Sequence, residues 1–310
     1  MKKSVLVVAL AFGVTGAFAQ DLTSKKGEPI LPEAEDWAIS MDANPIFNYV
    51  GNAFNGSTSN SAPGTGWLNS DQTIIGKKFI DEKNAYRVLV RLGFTSTSTK
   101  AMIGDASATG TLTYPAVPAM KEDKMKSGNT NIGIGVGKEM RRGKTRLQGV
   151  YGADAMIWMS SSKQKYEYGN ALSNSATAPV AVGAGTTTNF GSNIGTDTYG
   201  NAARTTVNKS GMTFGIGVRA FIGAEYFIFP KISVGAEYGW GIGYQMTGKG
   251  KKTVESLDSG TNAVGTQDTQ TSGSSKFGFD TDINNGTLFG FHGSGSGSTG
   301  SGSLRVTFHF

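Results

Sequence analysis

Apolar and polar positions alternate along much of this chain with a period of two. In one run Met212, Phe214, Ile216, Val218, Ala220, Ile222, Ala224 and Tyr226 form an apolar row. Thr213, Gly215, Gly217, Arg219, Phe221, Gly223 and Glu225 lie between them. Helical periodicity does not generate such a pattern. After Phe229-Pro230-Lys231 the alternation restarts, with Ile232, Val234, Ala236, Tyr238, Trp240, Ile242 and Tyr244 on one face and Ser233, Gly235, Glu237, Gly239, Gly241 and Gly243 on the other. Two such runs around a tight turn predict a β-hairpin.

The same device recurs upstream. Ile132, Ile134 and Val136 alternate with glycines up to a predicted turn at Arg141–Lys144. Leu147, Gly149, Tyr151, Ala153, Ala155 and Ile157 then alternate with Arg146, Gln148, Val150, Gly152, Asp154 and Met156. A third pair joins Thr73–Ile80, whose faces are not legible, through Asp81–Asn84 to Tyr86, Val88, Val90, Leu92 and Phe94. The face opposite those five carries Arg87, Leu89, Arg91 and Gly93. Trp37, Ile39, Met41 and Ala43 open the pattern, and Leu304, Val306, Phe308 and Phe310 close it. Pro45 lacks an N–H for a ladder, so a bulge or the strand end is expected there.

These runs predict eight strands. Tight turns follow strands two, four and six; polar segments of about 18, 30, 50 and 55 residues follow strands one, three, five and seven. Short turns at one end and long loops at the other are the layout of outer-membrane barrels. The expected fold is therefore all-β: an eight-stranded antiparallel transmembrane up-and-down β-barrel with long extracellular loops and both termini periplasmic.

The N-terminus agrees with that location. Lys2 and Lys3, the apolar run Val5–Phe12 and Ala17-Phe18-Ala19 read as a cleaved signal peptide over residues 1–19. Residues 20–35 then form a short periplasmic segment and 36–310 the barrel. The chain has no Cys, which excludes disulfides and thiol chemistry. Its 45 Gly residues are about twice the usual share. The formal charge of +6 is scattered without aromatic interleaving, which argues against nucleic acid as a partner.

An eight-stranded interior is just wide enough for side chains. The alternation turns Arg87, Arg91, Arg146, Arg219 and Arg305 inward, opposed by Asp42, Glu139, Asp154, Glu225 and Glu237. Buried charges persist only when paired, so an interior salt-bridge network is expected, either as a filled polar core or as a selectivity filter. Aromatic residues fall at the two rims: Trp37, Tyr86, Tyr226 and Phe310 on the periplasmic side, Tyr49, Trp158 and Tyr244 on the outer side.

The C-terminal run Leu304–Phe310 resembles the terminal signature of outer-membrane barrels, in which alternating apolar residues and a final aromatic, here Phe308 and Phe310, are read by the barrel-assembly machinery. With residues 31–45, 141–155, 224–245 and 277–282, it makes the mature chain resemble the OmpA/OmpX-type outer-membrane β-barrel superfamily, and more narrowly the barrel proteins of Bacteroidota. The resemblance implies fold and location more than activity. It also implies outer-membrane lipids and lipopolysaccharide as surroundings and an outer-membrane protein as a partner.

Other candidates weigh less. Gly133–Lys138 lacks the spacing of a phosphate-binding loop, and no cofactor motif is present. Asp280, Asp282 and Asn284 space oxygen ligands like a calcium loop but lack its terminal Glu, so a plain Asx turn is the leading expectation and a calcium site the alternative. His292, near Asp280 and Ser294, is the candidate for a lipid-modifying or proteolytic site, although the Gly/Ser-rich segment 293–303 is a poor scaffold for one. Phe277, Phe279, Phe289 and Phe291 predict a hairpin extending the barrel, or a partner contact. Lys249, Lys251 and Lys252, with Lys121, Lys124 and Lys126, are expected first as solvated loop charge; contact with lipopolysaccharide phosphates is the alternative. The leading expectation is a non-enzymatic outer-membrane protein with a structural or surface-interaction role. A narrow channel is the first alternative and a barrel enzyme the second.

Overall fold

A computed structural model describes residues 22–24, 26–56, 73–108, 113–174, 180–183, 185–258, 260–261, 263–281 and 303–310. The signal-peptide reading, Asp282–Gly286, Phe289, Phe291, His292 and residues 293–302 lie outside the described residues.

The fold is all-β with one large antiparallel sheet. Its strands are β1 (Trp37–Asp42), β2 (Ile74–Asp81), β3 (Asn84–Gly104), β4 (Met120–Arg142), β5 (Leu147–Glu167), β6 (Ile194–Thr196), β7 (Ala202–Lys209), β8 (Thr213–Phe229), β9 (Ile232–Thr247), β10 (Gly250–Leu257), β11 (Val264–Thr271), β12 (Ser274–Thr281) and β13 (Ser303–His309). One helix, α1, covers Asn44–Phe54. The sheet thus holds thirteen described strands where eight were expected.

The expected hairpins are present as β2–β3, β4–β5 and β8–β9. Their turns have local causes. The Asp81 carboxylate accepts the Lys83 N–H at 2.7 Å and caps the first turn. Lys231 takes a positive φ of 63° at the third. Between hairpins, β3 pairs β4, β5 pairs β8, β9 pairs β13, and β1 lies between β13 and β2. The last residue joins this seam: Trp37 and Phe310 exchange backbone hydrogen bonds of 2.8 and 2.9 Å.

The extra strands come from segments expected to be loops. β3 and β4 continue past the apolar residues as a ladder reaching Gly104 and Met120. Thr95, Thr97 and Thr99 suit a pleated surface, and each added pair satisfies backbone groups. The segment after β5 contributes β6 and β7, and the segment after β9 contributes β10 and β11 beside β7. These strands form a crown at the end away from the tight turns. β12 pairs Trp240–Thr247 of β9, and β13 pairs Ile232–Glu237 of that same edge. Phe277 and Phe279 therefore run alongside β9, opposite Tyr244 and Ile242.

Strand one ends at Asp42, and Pro45 falls in the first turn of α1, where its missing N–H costs nothing. Tyr49, expected at a strand rim, is accordingly helical. The predicted turn at Arg141–Lys144 starts later, because β4 includes Arg141 and Arg142.

The two faces of the sheet are inverted relative to a water-soluble protein. Ile134, Val136, Ile157, Ile216, Val218, Ile222 and Ile242 are exposed, whereas Arg87, Glu139, Asp154, Arg219 and Glu237 are buried.

Candidate functional site: interior charges below a hydroxyl-lined cavity

The interior face is layered. Nearest the tight turns, Phe79, Phe227 and His309 pack together, with ring centroids 5.6 and 5.0 Å from the histidine. The Arg141 guanidinium lies 4.8 Å over Phe79 and bonds to Glu225 and, at 3.0 Å, to Glu139. Ser233 donates to Glu225 at 2.5 Å and lies 3.1 Å from His309 Nε2.

The next layer is the charge network, centred on Arg87. Its guanidinium meets Glu139 at 3.3 Å, Asp154 at 3.5 Å and Glu237 at 3.1 Å, with Phe221 stacked 4.0 Å away. Glu139 also receives Lys77 at 2.8 Å. Arg219 bridges Asp154 at 3.4 Å and Glu237 at 3.7 Å, and Arg305 approaches Glu237 at 3.9 Å. Every carboxylate of this layer meets at least two cations, as buried charges require. Small residues make the room: a side chain at Gly239 would strike the Arg219 guanidinium, and one at Gly137 would strike Asp154.

Above the charges lies an apolar layer of Ile75, Leu89, Met156 and Trp158. The Trp158 indole fills the space that Gly215 leaves by lacking a side chain. Trp158 was expected in the outer aromatic girdle. It is 5% exposed because it shares the inward parity of Asp154 and Met156.

Above this layer opens a cavity of about 610 Å³ lined by Gly93, Thr95, Thr97, Asn129, Asn131, Ser160, Thr213 and their neighbours. All the lining residues are Gly, Ser, Thr or Asn. The Arg87 charge network sits below it, on the far side of the Ile75–Trp158 layer.

Of the ten interior charges expected, Arg87, Arg91, Glu139, Asp154, Arg219, Glu225, Glu237 and Arg305 are buried. Arg146 is not among them. It precedes β5 at the turn, is partly exposed, and donates to the Ile228 carbonyl at 3.2 Å. The side chain of Asp42 lies outside the description, as does that of Asp280 in β12. Lys77 and Arg141 were missed. The doublets Ile74-Ile75, Lys77-Lys78 and Phe79-Ile80 hide the parity of β2, but the odd-numbered row running through Glu139 extends to Arg141. In the girdle, Trp37, Tyr86 and Phe310 are more than half exposed, and Tyr49 and Tyr244 are close to 40% exposed. Tyr226 is half-buried.

The crown has a second buried centre that the sequence did not reveal. Arg204 of β7 pairs with Glu255 of β10 at 2.6 Å, donates to the Asn170 carbonyl at 2.7 Å, and lies 4.3 Å over the Tyr168 ring. Burial pushes the Tyr168 hydroxyl up to about 12. Asp123 accepts the N–H groups of Gly169 and Thr188 at 2.8 and 2.7 Å. Lys121 and Ser107 hold the Asp105 carboxyl down at about 2. The Asp123 contacts attach Gly169 and Thr188 to the top of β4, and Asn170 donates to the Gly104 carbonyl of β3 at 2.8 Å.

No protein-family model, curated protein or solved structure matches this chain. Among the described residues, no group of three or more His, Asp or Glu is placed to hold a metal ion, and no helix is long and apolar enough to cross a membrane, which says nothing of strands.

Proposed function

We propose that this chain is an integral outer-membrane β-barrel protein of the OmpA/OmpX type, non-enzymatic, with a filled interior and a folded extracellular crown that contacts other surface components. The observation that carries this reading is the inversion of the two sheet faces. Ionisable side chains are buried and paired inside, while strands of membrane-crossing length expose Ile, Val and Phe outside. A lipid surround stabilises that arrangement and water does not.

The eight strands β1, β2, β3, β4, β5, β8, β9 and β13 form the barrel in this proposal. The pairings support closure, since they lead from β1 around this set and back to β1. Following residue partners from Ser40 through β2, β3 and β4 reaches Met156. Following them from Ser40 through β13 and β9 reaches Phe227 of β8, which bonds Arg146. The ten-residue offset between Met156 and Arg146 is the stagger of a closed sheet. With eight strands it corresponds to a tilt of about 40°, within the usual range. At that tilt the 21 residues of β3 rise about 50 Å, roughly twice the height of an apolar band. The upper half of the strand then stands in the crown.

The paired charges and the Leu89–Trp158 layer favour a closed interior over a channel. The crown, with its cavity, is the surface available for interaction. The test is expression in a Gram-negative host, followed by membrane fractionation and gel mobility with and without boiling. Outer-membrane recovery, faster unboiled migration and no conductance steps in a planar bilayer are the expected results. Recovery in the soluble fraction with identical mobilities contradicts the proposal.

A further inference from the structure

The register of the crown stacks lysines against one another just beyond the apolar residues. Lys163 of β5 stands directly opposite Lys209 of β7, and Lys209 directly opposite Lys251 of β10. One strand over, Lys165 stands opposite Lys126 of β4, and Lys124 opposite Lys100 of β3. The β3–β4–β5 ladders carry no register shift. These side chains therefore share the outward face with Phe94, Ile134 and Ile157, and those on β3–β5 lie four to eight residues beyond Phe94, Ile132 and Met159 along their strands.

Like charges directly opposite in a sheet are unfavourable, and this patch has seven lysines across five strands. Glu122, Glu167 and Asp268 offset part of it, through Lys100 at 3.0 Å, Lys165 at 3.0 Å and Lys251 at 2.8 Å. Lys163 and Lys209 have no ion-pair partner among the described residues, and Lys124 stands directly opposite Glu167, a carboxylate that also serves Lys165. An apolar wall bordered by unpaired ammonium groups is complementary to a molecule with acyl chains and an anionic head.

We propose that this lysine ladder binds the phosphate groups of an anionic lipid in the leaflet bordering the crown. The proposal rests on the membrane reading above and narrows the earlier lysine candidates. Lys124, Lys126 and Lys251 belong to the ladder, with Lys100, Lys163, Lys165 and Lys209 added. The shared chemistry is phosphate, so the test separates lipid from soluble phosphate.

The folded protein in neutral detergent is titrated with dioleoyl phosphatidic acid, dioleoyl phosphatidylcholine and inorganic tripolyphosphate, and bound molecules are counted by native mass spectrometry. The same titration is run on the triple variant Lys124→Gln, Lys163→Gln, Lys209→Gln, with unboiled gel mobility as the check on folding. Phosphatidic acid is expected to bind more tightly than phosphatidylcholine. The variant is expected to lose about fivefold per lysine, on the order of 100-fold in all, with its mobility unchanged. Equal binding by variant and parent overturns the proposal, as does equal binding of the two lipids. Tripolyphosphate binding as tightly as phosphatidic acid overturns the lipid assignment. Loss of the mobility shift in the parent protein indicts the membrane reading instead. Should the triple variant misfold, Lys163→Gln alone is expected to show the fivefold loss.

Discussion

Arg87 donates to Glu237 over 3.1 Å, although β3 and β9 share no ladder among the described residues. The contact crosses the interior, and the same guanidinium serves Glu139 and Asp154. Arg87→Met therefore leaves three carboxylates with fewer cations. Breaking a buried pair from one side costs ~3–5 kcal/mol, which a urea titration followed by the gel-mobility shift would measure. Arg87→Met with Glu237→Leu is expected to recover part of the loss. A single variant as stable as the parent contradicts the network's structural role.

Trp158 over Gly215 gives a second expectation. Gly215→Val pushes a side chain into the indole's space, and overpacking costs ~1–3 kcal/mol. The Trp158 emission should shift to longer wavelength as the ring is displaced towards the cavity. A variant with unchanged emission and stability contradicts this packing.

Much of the fold was legible because one face of each long strand is uniformly apolar. Where that held, as in Phe214–Tyr226 and Ile232–Tyr244, strands, hairpins and faces followed from the residues alone. Strand β2 was legible as a strand, but its faces were not, because its residues come in like pairs. Arg141 was lost because Arg-Arg-Gly-Lys has turn composition, although its parity with Glu139 continues the interior row. Trp158 was misplaced because aromatic type was weighted above parity. The crown strands were invisible for a physical reason: their exposed face carries Lys, Ser and Thr, and their buried positions include Asp123, Arg204, Thr205 and Ser256 rather than an apolar row, so no alternation survives. Arg204 sits in that region, and its partners Glu255 and Asn170 are distant in sequence.

The crown makes its own prediction. Arg204→Met removes the Glu255 ion pair and the donor to Asn170. Limited proteolysis should then cut between residues 168 and 201 at least several times faster, while the unboiled mobility stays that of the parent. Loss of both together would make Arg204 part of the whole sheet's global stability.

Acid should loosen the same region. The Asp105 carboxyl, ordinarily near 3.8, is held down at about 2 by Lys121 and Ser107. Asp197 is also held at about 2, chiefly by Asn201 against a smaller opposing effect of burial. A lowered folded pKa means the stabilisation is complete above about pH 4 and is lost as pH falls through about 2. Amide-exchange protection in residues 105–121 and 197–201, taken relative to the intrinsic rate at each pH, should fall as pH drops from 4 to 2. In an Asp105→Asn variant, the 105–121 segment should lose most of that dependence. A fall confined to pH above 5 would contradict the assignment.

The most direct test of the proposed membrane-facing wall uses the absence of cysteine from the chain. Single cysteines at Ile134, Ile157 and Val218, with Lys163→Cys as the crown control, are spin-labelled in lipid bilayers. Their collision rates with oxygen and with a water-soluble nickel chelate are then compared. High oxygen and low nickel accessibility are expected at the three apolar positions and the reverse at position 163. High nickel accessibility at Ile134, Ile157 and Val218 would contradict the proposed wall.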